Sequence, residues 1–229
     1  MHSVNILTHI TAGTIALLFG IIALTTRKGG RTHKRVGKLF LMLLIFVIIT
    51  GLLGVFVFNR NTFLLVITVL SAYNGFSGYR ILQTKSNEPK LPDISVAIIS
   101  LISVSYFLYY FNSIGMIWAP VIIYSTVGAL LFLITYDFAR YLIPRAKYKK
   151  LWLYEHIYKM IGAFTALLAA FIGTVFVKYQ PYSQVLPSVL GILLQIGFIV
   201  YYYRKDNHAI QELNNNDKKQ HTAMQNIVH

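Results

Sequence analysis

The chain has no cysteine. That excludes disulfides, thiolate nucleophiles and thiolate metal sites. Acid is scarce, with 7 Asp and Glu against 21 Lys and Arg. Charge of either sign is scarce too: 12% of the 229 residues are charged, against roughly 25% in a soluble domain. There is no glycine-rich phosphate loop, and Gly29-Gly30 is a turn in a basic segment. No His-Glu-x-x-His helix occurs, and no Ser/His/Asp set is spaced for acyl transfer. No connection between apolar runs is long enough for a soluble domain. Chemistry must therefore lie within the helices or at their rims, and the residues leave open whether any reaction is catalysed.

What is present is apolar surface. Hydrophobic residues make up 56% of the chain, more than one soluble core of this size hides. In hydrocarbon every backbone N–H and C=O must be paired internally, which admits only helices and closed barrels. Barrel strands read as alternating segments of about ten residues. Here the runs are continuous and roughly 20 residues long, the length of a helical span. The sequence predicts an all-α polytopic membrane bundle of seven transmembrane helices, near 4–24, 38–58, 62–83, 94–112, 117–138, 154–177 and 185–203. Residues 1–203 form the transmembrane domain, and 204–229 read as a flexible polar tail. The first run follows MHSVN, which lacks a positive n-region, so it reads as a retained helix.

The basic residues are one-sided. Six fall in 25–38, three in 80–93, five in 140–153 and four after Tyr203, and Lys159 lies about one turn inside the sixth span. Only Arg60 and Lys178 fall on the other side, and all seven acids share the basic side. Lys and Arg concentrate in cytoplasmic loops. The N-terminus is therefore expected outside and the C-terminus in the cytoplasm, in a bacterial inner membrane. Aromatic residues fit the same boundaries: Tyr109, Tyr110, Trp118, Tyr179 and Tyr182 near outer ends, Trp152, Tyr154 and Tyr201 to Tyr203 near inner ends. The net charge of +14 is then loop charge, the bilayer is the partner, and nucleic acid is not.

Helices in lipid associate through small residues and hydrogen bonds. The first span carries His9, Gly13, Ala16, Gly20 and Ala23 on one face. The sixth carries His156, Lys159, Ala163, Ala166, Ala170 and Gly173. These two are expected to be the most tightly packed helices, with their histidines facing protein.

Ionisable groups within a membrane are functional candidates by default. One set gathers at the cytoplasmic rim: His33, Arg80, Asp137, Arg140, Glu155, His156 and Lys159. A solvated ring of salt bridges is the plainer expectation. The functional one is a polar pocket in which His33 and His156 meet, with Asp137 orienting an imidazole. His9, near the outer end of the first span, is the third histidine; its only evident outer partner is His2. Asn74 and Gln195 form a mid-membrane polar pair, expected to hydrogen-bond between helices.

The run His9-x-x-x-Gly13, then Gly20, then His33-Lys34-Arg35-x-Gly37-Lys38 resembles the opening of a bacterial family of polytopic membrane proteins known only as a domain of unknown function. The segment His156-x-x-Lys159-Met160-x-Gly162 resembles that family's later helix. The likeness would cover most of residues 5–200. It implies no activity, and it marks His9, His33 and His156 as the positions to watch.

Three functions follow as expectations. The first is haem b or a metal held by His33 and His156 for electron transfer. The second is a transporter or channel for a small anionic or neutral solute. In it Arg80, Arg140 and Lys159 form a cationic vestibule, and Asn74 and Gln195 line the path. The third is an accessory protein whose bundle anchors other membrane subunits.

Overall fold

The structure, a computed structural model, describes residues 2–58, 64–88, 90–115, 120–149 and 151–227. Arg60 and Trp118 lie outside the described residues. Among these residues eight α-helices follow one another: α1 (His2–Thr25), α2 (Arg31–Phe56), α3 (Leu64–Thr84), α4 (Leu91–Ile114), α5 (Pro120–Ala139), α6 (Arg145–Tyr148), α7 (Leu151–Val175) and α8 (Tyr182–Ile227). Single 3-10 turns at Arg140–Leu142 and Val177–Tyr179 link α5 to α6 and α7 to α8. No strand occurs among the described residues.

Among the described residues six helices are long and apolar enough to cross a membrane: α1, α2, α4, α5, α7 and the first part of α8. The chain is a multi-pass membrane protein by this measure. Leu, Ile, Val, Phe and Tyr side chains stand exposed along α1, α2, α4, α5 and α8. Water would not tolerate so large an apolar patch, and lipid would.

The predicted third span, α3, is not among the six. It is long enough, at 21 residues, but it carries Ser71, Asn74, Ser77 and Arg80. Packing explains how it keeps them. α3 lies against α2, α4, α5 and α7, and Ser71, Asn74 and Ser77 are buried in protein rather than lipid.

The core has two main parts. One joins Val55 of α2 to residues of α3, α4 and α5, including Leu65, Tyr73, Phe107, Phe111 and Leu130. The other joins Ala12, Ala16 and Leu17 of α1, Phe40, Leu44 and Val47 of α2, and Ala163, Phe164 and Leu167 of α7. Between them Ile67 packs on Ala166 and Ala169. The two helices with small-residue stripes, expected to be the most tightly packed, differ: α7 is the most buried of the six spans and α1 is largely exposed. Gly20 of α1 receives the Phe164 ring, which would lie 2.4 Å from a Cβ there. α7 is the hub, packed against α1, α3 and α8.

α8 is turned inside out. Its buried positions in the span are Ser183, Gln184, Pro187, Gly191 and Gln195, facing α7, while Leu186, Val189, Leu190, Ile192, Leu193 and Ile196 are exposed. The segment after Tyr203, expected to lack regular structure, continues α8 to Ile227. Nothing there stops a helix: after Gly197 the sequence has neither glycine nor proline. The Tyr154 hydroxyl donates to Asp206 at 3.3 Å, which fastens the first extra turn to α7.

Candidate functional site

One end of the bundle gathers two sites. The first is a pair of imidazoles. α1 ends at Thr25, and Gly29, with φ +75°, lets the chain turn back into α2. The turn sets His33 against the last turn of α1, where its Nδ1 donates to the Ala23 carbonyl at 3.1 Å. On α7, the Nδ1 of His156 donates to the Gly78 carbonyl of α3 at 2.9 Å. A carbonyl only accepts, so Nδ1 carries the proton in both rings and the neutral form leaves Nε2 as the bare nitrogen. Both rings are half-buried. His33 and Lys28 lie within electrostatic range of His156. Lys28 folds back to donate to the Ala23 and Leu24 carbonyls, both at 2.8 Å, and covers the Phe198 ring at 4.7 Å. Burial pulls its ammonium down to about 8.

The second site is a buried ionic cluster between α3, α5 and α7. Lys159 donates to Asp137 Oδ1, and the Tyr73 hydroxyl donates to Asp137 Oδ2 at 2.7 Å. Arg140 lies in the turn after α5, where Asn87 donates to its carbonyl at 3.2 Å. Its Nη1 donates to Glu155 Oε2 at 2.6 Å and to the Tyr148 hydroxyl at 2.9 Å. Tyr148 in turn donates to Glu155 Oε2 at 3.0 Å, and Tyr136 donates to Oε1 at 2.8 Å. Arg140 Nε stands 3.6 Å from Asp137 Oδ1, which couples the two pairs. Two cations meet two carboxylates, so the cluster is neutral.

This is not the solvated ring that the sequence made plausible. Lys159 is 1% exposed, Glu155 5%, and Asp137 and Arg140 6% each. Charges so deep are tolerated when they are paired with opposite charge and hydrogen-bonded. The pairing is also crossed relative to helix spacing. Glu155 and Lys159, four apart on α7, each reach across to α5 and its following turn instead.

The rim residues therefore divide. His33 and His156 share one side, and Asp137, Arg140, Glu155 and Lys159 the other. Asp137 orients no imidazole, because Lys159 and Tyr73 take its oxygens; backbone carbonyls orient both rings. Gly78 touches both sites: its carbonyl holds His156, and a Cβ there would lie 3.0 Å from Lys159 Cβ. Arg80 joins neither and makes a two-point pair with Asp93 of α4, at 2.9 and 3.2 Å. His9 is elsewhere. Its Nδ1 meets the Thr50 hydroxyl at 2.9 Å, about 20 Å along α1 from Ala23, and His2 packs on Phe58 instead.

Asn74 and Gln195 do converge, at Gly162 of α7. A Cβ on Gly162 would lie 2.9 Å from Asn74 Oδ1 and 3.3 Å from Gln195 Nε2. They bond backbone rather than each other: Asn74 Nδ2 to Leu70 O at 3.0 Å, Gln195 Nε2 to Tyr158 O at 3.0 Å. The phenols of Tyr73, Tyr136 and Tyr148 were not foreseen. Tyr73 and Tyr136 adjoin flagged residues in sequence, beside Asn74 and Asp137, but adjacency along a helix turns side chains apart. Tyr148 lies in a strongly basic segment whose pattern did not single it out.

These features define a helical multi-pass membrane protein with a two-histidine site and a separate buried ionic cluster at one end. Comparison with family models, with curated proteins and with solved structures gave no match.

Proposed function

We propose that the protein binds haem b through His33 and His156 and serves electron transfer in a bacterial inner membrane. The observation that carries this is the common anchoring of the two rings. Each donates Nδ1–H to a main-chain carbonyl, which leaves Nε2 as the nitrogen that would bind a ligand. Iron-ligating histidines are held this way, with the second nitrogen fixing tautomer and orientation. Two imidazoles suit a group that brings its own in-plane ligands. Among the described residues no three His, Asp or Glu converge on a bare metal ion. Haem b would supply one-electron chemistry. Lys28 adds a cation beside the pair, matched to a carboxylate of such a group. A cationic vestibule for solutes has less support, since Arg80, Arg140 and Lys159 are each matched to a carboxylate.

Protein purified from haem-replete cells is expected to show a Soret band. His33→Ala and His156→Ala should each lose it, and His9→Ala should keep it. A colourless parent preparation overturns the proposal.

We infer further that α3 crosses as a seventh span, shielded from lipid by its neighbours. With the charge asymmetry this puts the histidine pair and the ionic cluster at the cytoplasmic end, and the N-terminus outside. Alkaline phosphatase fused after Asn61 is then expected to be active. An inactive fusion there, with an active one after Lys150, would reverse the orientation.

A further inference from the structure

One face of α7 carries Lys159, Gly162, Ala166, Ala169 and Gly173, at spacings of three and four. Along it lie buried polar atoms that make no hydrogen bond within the protein. At the ionic end, a cavity with room for about one water is lined by Tyr73, Ser77, Asp93, Asp137, Arg140 and Tyr141, among others. Arg140 Nε, 3.6 Å from Asp137 Oδ1, makes no hydrogen bond there. One turn further along α7, Asn74 Oδ1 points at Gly162 without a partner, on a side chain 2% exposed. At the far end Gln184 fills the space over Gly173, and Ser183 Oγ and Gln184 Oε1 are both unpartnered, on side chains more than nine-tenths buried. Pro187, having no N–H, also removes the helical donor that would serve the Ser183 carbonyl.

Unpaired buried polar atoms are costly, and water is the usual partner that satisfies them. Lys159 and Gly173 lie about 20 Å apart along the helix. These unsatisfied atoms therefore fall in two groups along α7, one from the ionic cluster to Gly162 and one at Gly173. Between the two groups Ile67 of α3 packs on Ala166 and Ala169.

We propose that this face of α7 is a proton path, closed in this conformation by Ile67. The solute is the proton itself, carried by water. It enters from the cavity beside Asp93 onto the Asp137 carboxylate, which becomes the neutral acid. Lys159 gives its own proton to water at Asn74 Oδ1 and becomes the neutral amine. Transfer from the Asp137 acid to the Lys159 amine restores the pair. Entry at Asp137 and release from Lys159 are concerted, so that one proton enters as one leaves and the cluster gains no net charge. Neutrality matters because a net charge at this depth is strongly disfavoured. The path does not depend on the haem site.

The test uses the full chain in proteoliposomes with a trapped pH-sensitive dye, under an imposed pH gradient with valinomycin and potassium. The parent is expected to be tight. Ile67→Ser, or the milder Ala169→Ser, should raise proton flux at least tenfold. Adding Asp137→Asn or Asn74→Leu to either opened variant should return it to the parent rate, with the same dye retention. Opened variants no leakier than the parent would overturn the proposal. So would flux that Asp137→Asn leaves unchanged, or flux equal to the leak of a larger ion such as choline.

Discussion

Lys159→Ala is expected to lower the thermal midpoint of the detergent-solubilised protein more than any other single substitution considered. The ammonium is 1% exposed and is a direct donor to Asp137. Removing it leaves a buried carboxylate whose remaining supports are the Tyr73 hydroxyl at 2.7 Å and Arg140 Nε at 3.6 Å. Breaking a buried pair from one side costs about 3–5 kcal/mol, because the other charge is left uncompensated. Replacing both charges by apolar groups of similar size costs far less, since the desolvation cost disappears with them. Lys159→Met with Asp137→Leu should therefore recover most of what Lys159→Ala loses. The Arg140 and Glu155 pair remains neutral in that double variant. Fluorescence-detected size exclusion after heating reads both outcomes. A Lys159→Ala protein with the parent's midpoint would show that the cluster is wet.

A second large effect is expected at Gly191→Ala, where α8 crosses α7. A Cβ there would lie 2.2 Å from Thr165 Oγ1 and 2.3 Å from its Cγ2. Real atoms do not approach so closely, so the helices must part. Overpacking of this kind costs about 1–3 kcal/mol, and here it falls on an interface that holds α8 by a narrow stripe. Gly128→Ala is the matched control, because nothing lies within 4 Å of its Cβ position. Thr165→Ala should recover part of the loss, since it deletes the two nearest atoms. Equal midpoints for Gly191→Ala and Gly128→Ala would mean that α8 packs otherwise.

The histidine and charge residues were visible in the sequence, and their arrangement was not. His156 and Lys159 share a face of α7 by spacing, yet one serves a carbonyl of α3 and the other a carboxylate of α5. Spacing within a helix says which residues are neighbours on its surface, not which helix comes to cover them. The same limit hid Tyr73, Tyr136 and Tyr148, each of which matters only because a carboxylate from another segment ends at its hydroxyl. α3 was legible as a helix, but its polar residues make sense only once α2, α4, α5 and α7 surround it. α8 shows the reverse. Its buried stripe of Ser183, Gln184, Gly191 and Gln195 is polar or small, so a rule that buries the apolar face would have turned it the wrong way. In lipid that rule does not hold, because apolar side chains gain nothing by leaving hydrocarbon.

By itself the sequence determined that the chain is helical and apolar enough to cross a membrane repeatedly, since both follow from local composition and run length. It also determined that its basic residues cluster between alternate apolar runs and that three histidines and a few polar groups are the places to look. Only the tertiary structure decided that the rim holds two sites rather than one, that its charges are buried pairs rather than a solvated ring, and that Asn74 and Gln195 meet at Gly162. Those facts depend on which helices touch α7 and at what height. That choice is made by small residues and side-chain hydrogen bonds between segments far apart in the chain, and no local pattern records it.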